Sequence, residues 1–224
     1  MPRNSPARRH YERTLAAASA AARDRQTYAD ASQYELQLMQ LAEHKREIRG
    51  VQSFEARAER KRDRLPAYAD YVAGVIASGA GVQDEVLMTV MVWRFDVGDI
   101  AGGLDIAEYA LRHGLVTPDG YKRDTPTLVA EEVADYALRR DPGDVDADLL
   151  QRAADATADA DMPDEVRAKL HKGLGLALES QGDLEAALSN LRRALELDQS
   201  AGVKKAIERV ERAASKSADK GADG

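Results

Sequence analysis

Three acidic clusters are the places where this sequence could do chemistry: Gln83-Asp84-Glu85, the pair Asp96 and Asp99 around Gly98, and Asp161-Met162-Pro163-Asp164-Glu165. Carboxylates that converge on a pair of metal ions, with a lysine nearby, are the means by which a two-metal nuclease works. Each cluster also has a plain structural use. Asp84 and Glu85 stand at the start of a helix, where carboxylates meet the positive end of the dipole. Asp99 has the position of an N-cap. Asp161 reads as an N-cap with Pro163 in the first helical turn and acids to match. The structural use outweighs the catalytic one in all three, and no catalytic residue is assigned.

The remaining reactive types point the same way. There are no cysteines, which removes disulfides, zinc ribbons and thiol chemistry. His10, His44, His113 and His171 never form an i, i+3 or i, i+4 pair, so no metal site is expected. Lys172-Gly173-Leu174-Gly175 lacks the spacing of a phosphate-binding loop, so neither ATP hydrolysis nor a cofactor is expected. Serine and histidine show no spacing suited to nucleophilic catalysis.

Charge is more informative. The net charge of −7 argues at first against nucleic acid, but it is unevenly spread. Residues 1–64 hold fourteen Lys or Arg against nine Asp or Glu, and the remainder holds eighteen against thirty. That is a basic arm on an acidic body. The densest cluster is Arg57, Arg60, Lys61, Arg62 and Arg64. On a helix Arg57, Lys61 and Arg64 share one face, with Arg60 and Arg62 fanning out from it. A positive stripe suffices to hold phosphates through counterion release; a solvated helix end, where cations complement the dipole, has the same appearance.

The elements that must position these groups read as helices throughout. Alanine, leucine, glutamate and arginine dominate, aromatic residues are 5%, and no segment shows period-two alternation with β-branched enrichment. Ser5–Gln26 reads as an alanine-rich helix. A second helix could run from Ala29 to Arg64, about 50 Å if continuous. Its apolar residues Tyr34, Leu38, Leu41, Ile48, Val51 and Phe54 form a narrow stripe, interrupted by Lys45 and Glu55. That stripe suits a partner helix, either in a second copy or in the same chain. For the first case Leu38, Leu41, Ile48 and Val51 are the expected oligomerisation residues.

After Pro66, helices are expected up to Ser78-Gly79-Ala80-Gly81 and at about Val82–Phe95, Asp99–His113, Thr127–Arg139, Val145–Thr157, Met162–Glu179, Leu184–Leu197 and Ala201–Ala214. The expected organisation is a basic helical arm over 1–64, a helical-hairpin core over 65–214 and a disordered tail over 215–224. Tyr71–Gln83, the longest uncharged stretch at a helical position, is too short for a bilayer span of roughly twenty residues. Thr14–Ala22 follows three arginines but is too weakly apolar for a signal peptide. A cytoplasmic, membrane-free protein is expected.

Gly98-Asp99-Ile100-Ala101-Gly102-Gly103-Leu104 is echoed by Gly182-Asp183-Leu184-Glu185-Ala186-Ala187-Leu188. In both, Gly-Asp ends one helix and caps the next, and small residues follow. The second copy resembles a tetratricopeptide-repeat hairpin, but an offset of 84 is not the 34-residue period of that family. The prediction is all-α, with separate helical hairpins of tetratricopeptide-like packing.

Three segments carry a family resemblance. They are Asp84-Glu85-Val86-Leu87-Met88-Thr89-Val90-Met91-Val92-Trp93-Arg94 with Asp96-Val97-Gly98-Asp99-Ile100-Ala101-Gly102 after it, Thr157 to Lys172, and Ala201 to Arg209. With the Ser5-Pro6-Ala7-Arg8-Arg9-His10 start, they make residues 5–212 resemble the small (M-type) terminase subunit of tailed phages that package DNA with cohesive ends. The resemblance implies a homo-oligomer, ring-shaped in this class, that binds double-stranded phage DNA near the cohesive-end site. It would hand that DNA to the large ATPase subunit, in the host bacterial cytoplasm and outside the mature virion. A longer basic tail is expected of the family; here the tail is short and mixed in charge. Weight therefore moves to Arg8, Arg9 and Arg13 and to the Arg57–Arg64 cluster as DNA contacts. Two rivals remain: cleavage of DNA by this chain itself, since the family is customarily named an endonuclease subunit, and a helical adaptor that binds only protein.

Overall fold

The computed structural model describes residues 27–222, with side chains described over 33–216. The Ser5–Gln26 segment, with Arg8, Arg9 and Arg13, lies outside the described residues. The helices are α1 (Thr27–Arg49), α2 (Phe54–Arg64), α3 (Ala69–Ser78), α4 (Glu85–Asp96), α5 (Ile100–Arg112), α6 (Thr125–Leu138), α7 (Ala147–Ala156), α8 (Asp164–Gln181), α9 (Leu184–Leu197) and α10 (Lys204–Ala222). Short 3-10 turns at Leu65–Tyr68 and Pro142–Asp144 join α2 to α3 and α6 to α7. No strand occurs among the described residues, and the fold is all-α.

Aspartates start five of these helices. Asp84, Asp99, Asp124 and Asp183 accept from the backbone N–H groups of Leu87, Gly102, Thr127 and Ala186 at 2.9–3.1 Å. Each such cap contributes roughly 1 kcal/mol. The Gly-Asp echo is a real structural repeat. At the first copy the Gly98 N–H bonds Phe95 O and the Asp99 N–H bonds Arg94 O; at the second, Gly182 bonds Glu179 O and Asp183 bonds Leu178 O. Both glycines are left-handed, at φ +82° and +86°, which only glycine adopts without strain. The two turns thus close the α4–α5 and α8–α9 hairpins in the same way.

α4 is apolar on nearly every side: Val86 to Trp93 and Phe95 are all buried. A helix of that kind needs cover all round, and α1, α2, α5 and the first 3-10 turn pack on it. A second small core joins Ala187, Leu191 and Ala194 of α9 to Val203, Ala206 and Val210 at α10.

Several expectations are corrected here. The Ala29–Arg64 rod is broken: α1 stops at Arg49, and Ser53 caps a new helix through its Oγ and the Ala56 N–H. Gly50 weakens the helix at that point, and the Arg57 guanidinium takes the freed Val51 carbonyl at 2.5 Å. The apolar stripe of α1 meets the same chain: Leu41 (1% exposed), Ile48 and Tyr34 are in the main core, and Leu38 packs against it. Leu41 and Ile48 therefore have no surface left for a second copy, while Val51 is half-buried. Phe54, assigned to that stripe, is 85% exposed. Pro163 rather than Asp161 precedes the first residue of α8, because its ψ of 133° is extended. Residues 215–222, expected to lack structure, continue α10.

Candidate nucleic-acid interface

The corner between α1 and α2 gathers the cations that charge patterning singled out, and it divides them sharply. Arg57, Lys61 and Arg64 do share one face of α2, and that face is turned to the body. Arg57 holds Val51 O. Lys61 Nζ lies 2.5 Å from Asp96 Oδ2 and is largely covered. Arg64 makes a two-pronged bond to Glu47 of α1, with contacts of 2.9–3.2 Å. Arg60 and Arg62 fan outward. Arg60 stands 3.9 Å from the same Glu47, and Arg62 donates to Val97 O at 3.3 Å. The bond from Arg64 holds the Glu47 carboxyl below its ordinary pKa and lifts that of Arg64 in turn. His44 stands behind the corner, its Nδ1 2.7 Å from the Tyr68 hydroxyl, and burial followed by the Arg64 charge lowers its pKa.

Two further arginines belong to this surface, and sequence reasoning missed them. Arg46 and Arg49 lie in the last turn of α1, are exposed, and their side chains make no hydrogen bond or ion pair among the described residues. Their i, i+3 spacing before Gly50 was the available signal. It is also the ordinary signature of a helix C-terminus, which hid it. The exposed cations of this corner are thus Arg46, Arg49, Arg60 and Arg62, with Arg60 turned toward Glu47 and Arg62 toward Val97.

Two of the three acidic clusters are occupied with packing. Gln83 clamps the Val116 backbone with bonds of 2.8 and 2.9 Å. Asp84 caps α4, is buried, and accepts from the Tyr71 hydroxyl. Glu85 pairs with Lys45 at 2.8 Å, and Asp99 with Arg94 at 2.5 Å. Asp161, Asp164 and Glu165 are exposed, strung along the α8 entry. No group of three or more His, Asp or Glu side chains suited to a metal ion occurs among the described residues.

Burial raises the Asp84 pKa, against the hydrogen bonds from Tyr71 and the Leu87 N–H, which lower it. A carboxyl whose folded pKa lies above its unfolded value favours folding below the unfolded pKa. It loses that advantage as pH rises through the folded pKa. Asn at this position keeps the cap and the Tyr71 contact without the buried charge. Asp84→Asn is therefore expected to be at least as stable as wild type at pH 8, with a flatter stability profile between pH 4 and 8. Thermal melts across that range check it; a large loss at pH 8 would show that the charge itself is needed.

What these elements define is an all-helical scaffold of capped hairpins with exposed arginines at the α1–α2 corner and a buried carboxylate, Asp84, that caps α4. Comparison with known proteins names the class. The family model described as the phage small terminase subunit matches residues 38–165, and the chain belongs to that family. It is 49% identical over 210 residues to the "Terminase, endonuclease subunit" of Escherichia phage P2, an alignment covering 93% of this chain and 85% of that protein. It is 29% identical over 182 residues to the "Probable terminase, endonuclease subunit" of Haemophilus phage HP1 (strain HP1c1), covering 73% of this chain and 65% of that one. No solved structure matches. No described helix is long and apolar enough to cross a membrane.

Proposed function

We propose that this terminase small subunit holds duplex phage DNA on the α1–α2 corner and presents it to the large ATPase subunit for cutting and packaging, in the host cytoplasm. The observation that carries the reading is the outward edge of Arg46, Arg49, Arg60 and Arg62 on an otherwise acidic chain. Arg57, Lys61 and Arg64 brace that edge more than they extend it. A closed multimer belongs to the same reading. With Leu41 and Ile48 committed to the core, exposed Leu36 and Met39 supply the apolar surface that α1 offers a second copy.

The test is duplex binding by the intact chain over a salt series. Affinity should fall linearly on a log–log plot, by roughly 0.9 for each phosphate engaged. Glu47→Gln should steepen that line, because the carboxylate shared by Arg60 and Arg64 then no longer competes with phosphate. Absence of binding at low salt would overturn the reading and leave a protein-only adaptor.

A second reading, cleavage by this chain itself, is favoured by the names of both relatives. Incubation of the purified chain with magnesium or manganese and phage DNA separates the two. Nicking that survives purification away from the large subunit supports cleavage; intact DNA rejects it.

A further inference from the structure

We propose that Phe54 is an apolar wedge that enters duplex DNA between base pairs, while the arginines on either side of it hold the phosphates. The proposal rests on the DNA-binding reading above. The chain has two phenylalanines; Phe95 is 5% exposed and packed in the core, whereas Phe54 is 85% exposed at the tip of the corner.

Folding does not explain that placement. Phe54 is the first residue of α2, and the cap there is made by Ser53. A hydrophobic staple would involve the residue before the cap and the fourth of the helix, which here are Gln52 and Arg57. The half-buried face of α2 is that of Arg57, Lys61 and Arg64, and Phe54 does not lean on it. Its orientation is nevertheless braced. The Arg57 guanidinium lies 5.6 Å from the ring centroid while its Nε is tied to Val51 O.

The neighbours decide the kind of partner. A protein partner reads a contiguous apolar patch, and beside Phe54 the apolar residues Val51, Ala56 and Ala58 are half-buried, so the exposed neighbours are Gln52, Ser53 and Glu55. An isolated ring standing clear of a polar, arginine-flanked surface is what insertion at a base step requires. The ring replaces stacking lost at a kinked step, and cations on both sides take the phosphates. Arg46 and Arg49 on the α1 arm, and Arg60 on the α2 arm, supply those sides. Flexible pyrimidine–purine steps should be preferred, since they unstack most readily.

The experiment is end-to-end energy transfer on a doubly labelled duplex of about 30 base pairs, long enough to register a bend, bound by the full chain. Wild type should draw the ends together. Phe54→Ala should abolish that change and weaken binding about tenfold, with the salt slope unchanged because no phosphate contact is lost. Phe54→Leu should keep the bend, since a wedge needs bulk and not aromaticity. Leucine behaving like alanine would assign the ring to stacking on an unpaired base and overturn the wedge. Wild type that binds without bending, or a change of solution mass in Phe54→Ala, overturns the wedge alone; wild type that does not bind overturns both readings.

Discussion

Exchange of Arg46, Arg49, Arg60 and Arg62 for glutamine is expected to lower affinity for duplex DNA on the order of a hundredfold at moderate salt, and to flatten the log–log salt dependence by up to about 3.6. The four side chains are exposed. Arg46 and Arg49 have no partner among the described residues, Arg60 has only the 3.9 Å approach to Glu47, and Arg62 has one bond to the Val97 carbonyl. Contacts of this exposed kind are worth roughly 0–1 kcal/mol each, and glutamine is a fair helix former. The variant should therefore melt close to wild type, so lost binding reports lost charge. An alanine variant of Arg57, Arg60, Lys61, Arg62 and Arg64 is less decisive. It also unties α2 from Val51, Glu47 and Asp96, and a loose corner would lose DNA for a second reason. A salt slope identical to wild type in the glutamine variant would remove this edge from the interface.

Gly175→Leu is expected to destabilise the protein by about 3 kcal/mol or more, and to lower its melting temperature by roughly 10 °C. A Cβ at this position of α8 would stand 2.8 Å from Leu191 Cγ and 3.1 Å from the Ala187 carbonyl oxygen of α9. The second of these is backbone, and both residues are fully buried, so the opposing arm has nowhere to go. The α8–α9 hairpin would have to part, and with it the small core shared with α10. Gly74→Ala in α3 is the control. Nothing lies within 4 Å of its added Cβ, so it should gain about 0.5–1 kcal/mol from reduced chain entropy. A melt of Gly175→Leu indistinguishable from wild type would mean that the close approach of α8 to α9 is not what holds the hairpin.

The resemblance to terminase small subunits, drawn from the Asp84–Gly102 and Thr157–Lys172 segments, agrees with the family match over 38–165. The residues proposed for DNA had a different outcome. The Arg57, Lys61 and Arg64 face was correctly grouped by helical spacing, yet its three cations are bound to Val51, Asp96 and Glu47. Arg46 and Arg49, whose side chains have no partner among the described residues, looked like an ordinary helix end. Phe54 has the spacing of a core residue and stands in solvent. These outcomes share a cause: spacing groups side chains by face, but it carries no information on what that face meets.

Sequence alone determined the elements whose causes are local. Helix-forming composition gave no strand signal, Asp99 and Asp183 placed two helix starts, and the Gly-Asp pairs 84 residues apart announced two hairpins closed in one manner. Those signals act within one helical turn, through caps and allowed φ angles, so neighbouring residue types suffice to read them. Tertiary structure decided the rest: where the long basic helix breaks, that Leu41 and Ile48 face their own chain, and which arginines point outward. Such outcomes depend on how much apolar surface the distant helix α4 needs covered and on which carboxylates come within reach of each cation. Both are set by contacts between residues tens of positions apart.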